Sequence, residues 1–197
     1  MLGSILHLIV YTLMSVLLFF IVMRFVLQLV KADFYNPLSQ AIVKGTQPLL
    51  RPFRKIIPGF FGIDFASIAL IVIIQVIAST LLLLTLGFSI TAVNPVAFIL
   101  WGLLGAATYV TGILFIAMII SIIGSFIQQM HYHPVFMLAT QIVEPFAKPI
   151  RKIIPPIGGV LDISPIFVLL GIQIANMLIN YAAAALGVIP KVVLGYW

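Results

Sequence analysis

Four stretches of this chain are apolar for long enough to cross a hydrocarbon core, which takes roughly 20 residues of helix. They run from about Leu2 to Val30, Ile63 to Leu86, Pro95 to Gln128 and Ile163 to Ile189. A water-soluble alternative fails on composition. Of the 197 residues only 7% are charged and 63% are hydrophobic, with a mean hydropathy of +1.31, too little polar surface to cover a domain of this size. A closed barrel fails on pattern, because the stretches are continuous where barrel strands must alternate. The expected fold is an all-α membrane protein with four transmembrane helices. Met1 to Met23 has no basic residue before its apolar run and no small-residue cleavage site after it, so it reads as a retained helix. The absence of cysteine removes disulfides, thiolate metal sites and thioether-linked haem.

Charge gives the orientation. The second and third spans are joined by a short uncharged loop, Gly87 to Asn94, while the first and third are followed by long linkers rich in proline and basic residues. Lys31, Lys44, Arg51, Arg54 and Lys55 lie in the first linker, and Lys148, Arg151 and Lys152 in the second. An even number of crossings puts both linkers on one face, which the positive-inside bias makes cytoplasmic. The opposite face carries Lys191 alone, so both termini are expected outside the cytoplasm. Arg24, near the inner end of the first span, is expected to snorkel to the basic face.

The chain repeats itself. Pro37, Pro48, Pro52, Arg54, Lys55, Ile56, Ile57 and Pro58 align in one constant register with Pro134, Pro145, Pro149, Arg151, Lys152, Ile153, Ile154 and Pro155. One residue is inserted beyond the last proline, after which Asp64 matches Asp162 and Gln75 matches Gln173. Residues 1–90 and 95–197 thus form two units of two spans each. Copies with an even number of crossings share one orientation, so a pseudo-twofold axis along the membrane normal should relate them.

Within each linker the pattern predicts a short interfacial helix, Pro37 to Leu50 and Pro134 to Ala147, which the following prolines stop. The adjacent cations Arg51, Arg54, Lys55 and Lys148, Arg151, Lys152 then sit where the chain meets headgroups. Anionic lipid or a membrane-protein partner is the contact expected of them. The cations are too few to point to nucleic acid, and four thin helices with limited burial leave room for a homo-oligomer.

Asp64 and Asp162 stand just before the second and fourth spans, where a carboxylate accepts orphan helix N–H groups and meets the positive dipole end. Their alternative role is an ion or proton site. Gln75 and Gln173 follow eleven residues on, close to three turns and about 16 Å deeper on the same face, so a symmetric polar stripe would result. No intramembrane acid or histidine chain continues it. His131 and His133 flank Tyr132, and with His7 across the membrane they raise haem or metal ligation, yet the repeat supplies no matching ligands and no second shell. Several of Tyr11, Tyr35, Tyr109, Tyr132, Tyr181, Tyr196, Trp101 and Trp197 fall near span ends as interface anchors. Gly102, Gly105, Ala106, Ala107 and Gly112, and Ala182 to Ala185, offer small residues for close helix packing. No nucleotide loop, catalytic triad or paired-carboxylate site appears, so neither an enzyme nor a cofactor is expected.

The run Asp33 to Gln40, Thr46-Gln-Pro48, Pro52-Phe-Arg-Lys55 and Gly62-Ile-Asp64 resembles the YggT family. Glu144-Pro145, Pro149-Ile-Arg-Lys152 and Asp162-Ile-Ser-Pro165 resemble a second YGGT domain, so the likeness spans nearly the whole chain in two copies. One departure is that Arg24 has Ser121 as its counterpart. The resemblance implies a bacterial inner-membrane protein, linked in some members to tolerance of osmotic or other envelope stress. Related chloroplast and cyanobacterial proteins are linked to cytochrome assembly and to nucleoid or thylakoid organisation, and Gram-positive ones to division. It brings no catalytic residues. The expected function is therefore a scaffold or assembly factor acting through the basic linkers. A small ion transporter or channel, through Asp64, Gln75, Asp162 and Gln173, is the alternative, and a haem or cytochrome assembly factor the third.

Overall fold

A computed structural model describes residues 2–59, 62–89, 94–127, 132–156 and 162–195. Among these residues the protein is all-α: α1 Leu2–Leu29, α2 Pro37–Ile56, α3 Phe65–Thr85, α4 Pro95–Phe126, α5 Pro134–Ile153 and α6 Ser164–Ala185. Four of them, α1, α3, α4 and α6, are long and apolar enough to span a membrane. Helices α2 and α5 are the linker helices. The ends of α1 and α2 recur 97 residues on at the ends of α4 and α5, as the alignment of the repeat requires. Each linker helix starts at a proline whose missing N–H costs nothing there, behind a side-chain cap. Asn36 accepts from the Leu38 N–H and His133 from the Val135 N–H. Both linkers were expected to lose their helix at the prolines, and this needs correcting. Each runs unbroken through two of them, Pro48 and Pro52 in α2 and Pro145 and Pro149 in α5. The four-residue spacing puts each pair on one exposed face, where the carbonyls left without an N–H partner meet solvent or headgroups.

In each copy the two spans pack on one another, α1 on α3 and α4 on α6, and the linker helix lies against both. The copies meet through α3 with α4, α1 with α4, and α2 with α5. The main core is formed by Leu18, Ile21, Val22 and Val26 of α1 with Ile71, Ile74, Ala78 and Leu82 of α3, joined by Ile113, Ala117 and Met118 of α4. These recur every three or four residues and mark one stripe per helix, while the other faces are left to lipid. In that solvent, packing and polar contacts hold the helices together, because lipid tails are as apolar as leucine. Small residues allow the closest approach. A Cβ on Gly102 would lie 3.3 Å from Gln75 Cβ, and one on Gly105 would overlap the Gln75 amide. The two linker junctions fill the same space differently. Gly124 of α4 abuts the Phe136 ring of α5, where the equivalent positions in the first copy hold the buried pair Leu27 and Ser39.

The last span is shorter than its apolar pattern and does not run to Ile189. Gly187, at φ +63°, takes the left-handed conformation that ends α6, and Val188 N–H bonds back to the Ala183 carbonyl. Gly87, at φ +80°, ends α3 in the same way, with Phe88 N–H on Leu83. Beyond Lys191 the chain turns back into the bundle. Val192, Val193 and Leu194 are fully buried, the first two against Leu83, Phe98 and Trp101. Among the described residues this C-terminal tail has no equivalent between α3 and α4, where Asn94 already caps α4.

Candidate functional site

The two linker helices form the surface that both copies share. Helix α2 buries Ser39, Ile42, Thr46 and Leu50, and α5 buries Ala139, Val143 and Ala147 at the positions equivalent to the last three. Their N-terminal ends are stitched together across the pseudo-twofold axis. Asn36 donates to the Pro134 carbonyl at 2.8 Å, and the Asp33 N–H donates to Gln141 at 2.9 Å. On the outward faces, cations alternate with apolar side chains. Arg51 and Lys55 lie beside Leu49 and Ile56 in α2, and Lys148 and Lys152 beside Phe146 and Ile153 in α5. Ile56 and Ile153 are each 80% exposed at equivalent positions. Among the described residues none of these four cations makes an ion pair.

Arg54 and Arg151 behave differently from their neighbours. Arg54 forms an ion pair with Asp64 and also donates to Gln28 at 3.2 Å. Asp64 is buried and accepts from the Ser67 N–H and hydroxyl at 3.2 and 2.7 Å, so it is the cap expected at this helix start. Burial pushes the Asp64 carboxyl up. The bonds from Arg54 and Ser67 outweigh it and hold the group below the usual carboxylate range. In the second copy Arg151 is shared between Glu144, at 2.6 Å, and Asp162, at 3.2 Å, and Asp162 accepts from the Ser164 N–H at 2.8 Å. Glu144 stands where the first copy has Gln47. In both copies the arginine clasps the end of the linker helix to the start of the next span. Of the six cations expected to make outside contacts, Arg54 and Arg151 are thus committed inside the protein.

Arg24 does not reach for the surface. It is buried and donates to the Val43 carbonyl, Thr46 and Gln47 at 2.7, 2.9 and 2.8 Å, pinning α2 to α1. Its counterpart Ser121 faces Thr140 at 3.3 Å, the residue equivalent to Val43, so the second junction has a lighter contact at the same place.

The four residues of the expected polar stripe are not brought together. Gln75 is fully buried and donates to the Leu194 carbonyl of the tail at 2.9 Å. Gln173 is exposed on a groove between α1, α4 and α6, together with Asn176 and Asn180. Those two asparagines escaped the sequence reading, although the spacing of 173, 176 and 180 on one helical face was there to be read. The tail contact had no signal, since its carbonyl belongs to the backbone. Of the histidines, His7 bonds Thr85 at 2.7 Å and ties the start of α1 to the end of α3, and His133 caps α5. His131, Tyr196 and Trp197 lie outside the described residues.

The family model for CCB3/YggT matches residues 3–85 and again residues 100–183. An uncharacterised protein of Pseudomonas aeruginosa is 42% identical over 183 residues, 93% of this chain and 92% of that protein. An uncharacterised protein of Vibrio alginolyticus is 37% identical over 169 residues, 86% and 90% of the two chains. The uncharacterised protein YggT of Escherichia coli K12 is 32% identical over 157 residues, 80% and 79% of the two chains. No solved structure matches. With one family matched twice in tandem, and the duplicated helix–linker–helix unit in the fold itself, the chain belongs to the CCB3/YggT family.

Proposed function

We propose that this protein is a non-enzymatic scaffold or assembly factor of the bacterial inner membrane, with α2 and α5 on the cytoplasmic surface and both termini in the periplasm. There the paired linker helices hold anionic headgroups, and through them a membrane-protein partner, in support of tolerance to osmotic stress. The observation that carries the reading is the duplicated outward face, two cations flanked by two exposed apolar side chains in each copy. Apolar side chains between cations suit the boundary of headgroup and acyl chain, where each lysine or arginine near an anionic surface contributes about 1 kcal/mol. The clasps Arg54–Asp64 and Arg151–Glu144–Asp162 support it further, because they fix both helices at the start of a span and so at one depth.

The test is survival of an osmotic downshift in bacteria lacking the gene. The wild-type chain should restore survival. A chain with Arg51, Lys55, Lys148 and Lys152 replaced by Gln should insert equally well and fail to restore it. Restoration by that variant would refute the reading.

A further inference from the structure

The pseudo-twofold axis is broken at one place inside the membrane. On one side of the axis α3 of the first copy packs on α4 of the second, and Gln75 at their junction donates to a main-chain carbonyl, that of Leu194. The symmetry-related helices, α6 and α1, flank an open groove instead. Its volume is about 850 Å³, within the usual range for small-molecule sites. Phe19, Phe20 and Ile116 give it apolar walls, and among the described residues no acidic, basic or imidazole side chain lines it. Gln173, the counterpart of Gln75, faces this groove with Asn176 and Asn180.

These amides are poorly placed for an empty groove. Gln173 lies nine residues beyond Ser164, where α6 begins, roughly 14 Å along the helix and so near the middle of a core about 30 Å thick. Asn176 accepts from the Thr111 hydroxyl at 2.5 Å, which leaves its NH₂ group to donate. The side-chain amides of Gln173 and Asn180 make no hydrogen bond among the described residues. Amide groups facing hydrocarbon without a partner are costly. Gln75 shows what the NH₂ group at this position meets in the other copy, a carbonyl oxygen carried on an apolar segment.

We propose that the groove binds an uncharged, lipid-soluble molecule bearing carbonyl oxygens, which accept hydrogen bonds from Gln173, Asn176 and Asn180 while its apolar body lies along α1 and α4. Quinones and glycerides both offer that chemistry. The experiment measures binding of decylubiquinone and of dioleoylglycerol, separately, to the full-length protein in dodecyl maltoside, a detergent without carbonyl groups, with tetradecane as the carbonyl-free probe. At least one carbonyl probe should bind saturably, and which one identifies the source. Gln173→Leu with Asn180→Leu should weaken binding roughly 10- to 30-fold, the loss of two hydrogen bonds. Gly112 lines the groove, and a Cβ there would meet no atom within 4 Å. Gly112→Leu should therefore block the groove without disturbing the fold. Binding no better than that of tetradecane, or unchanged in both variants, would overturn the proposal. So would a dimer that Gln173→Leu dissociates while neither probe binds, since the groove would then belong to a second copy.

Discussion

Asp64 carries its charge where α3 begins, buried and closed in by Arg54 and Ser67. Its folded pKa lies below the unfolded value of roughly 3.9, so the stabilisation is complete above about pH 4 and fades as pH falls through the lower folded value. Asp64→Asn should cost about 2–3 kcal/mol at neutral pH, discounted from a fully buried pair because Arg54 is about a third exposed. The variant's thermal midpoint in detergent should also lose much of the fall expected of the wild type as pH drops below about 4. Arg24→Ala removes three hydrogen bonds from a buried site and should destabilise by about 3 kcal/mol, whereas Ser121→Ala should cost under about 1 kcal/mol. Unfolding of the two variants in urea would show the contrast. Both aspartates were legible in the sequence as helix starts. That one is buried with a single arginine, and the other shares its arginine with Glu144, depends on how deeply each linker helix sits, which local pattern does not encode.

Among the elements, the C-terminal tail sets the protein's interior apart from a plain four-helix bundle. Gln75 and Gly105 make its berth: the Leu194 carbonyl lies 2.9 Å from the Gln75 amide nitrogen, and a Cβ on Gly105 would be 2.8 Å from that carbonyl and 1.8 Å from the nitrogen. Gly105→Ala should push the tail out. The natural chain contains no cysteine, so a single Val193→Cys reports the change. It should be shielded from a water-soluble maleimide in the otherwise natural chain and react at least about tenfold faster once Gly105→Ala is added, a displacement of roughly 1.4 kcal/mol. Equal labelling would place the tail elsewhere. The spans themselves were readable from hydropathy to within a few residues at most ends. The tail was not, because Val192, Val193 and Leu194 are as apolar as any span and only Gly187 marks the break. The linker helices were located but cut short, because two prolines four residues apart stop a helix only when the freed carbonyls have nowhere polar to face.

At the scale of the whole molecule, a duplicated unit has kept its architecture while its two copies have diverged inside. The clasping arginine, its aspartate partner and the exposed isoleucine recur in both copies; Arg24 corresponds to Ser121, Gln47 to Glu144, and buried Gln75 to exposed Gln173. What recurs lies at the linker surface, and what has changed lies in the junctions and the membrane interior. The duplication and the basic surface could be read from residue identity and register alone. The loss of symmetry inside could not, since it follows from a tail that fills one side of the axis and leaves a groove on the other. If the shared surface is the functional one, anionic lipid should bind there in proportion to its unpaired cations. The most direct measurement is native mass spectrometry of the purified protein titrated with phosphatidylglycerol and with phosphatidylcholine. Wild type should retain phosphatidylglycerol preferentially, and replacing Arg51, Lys55, Lys148 and Lys152 by Gln should abolish that preference while phosphatidylcholine binding stays the same. An undiminished preference in the variant would contradict the account.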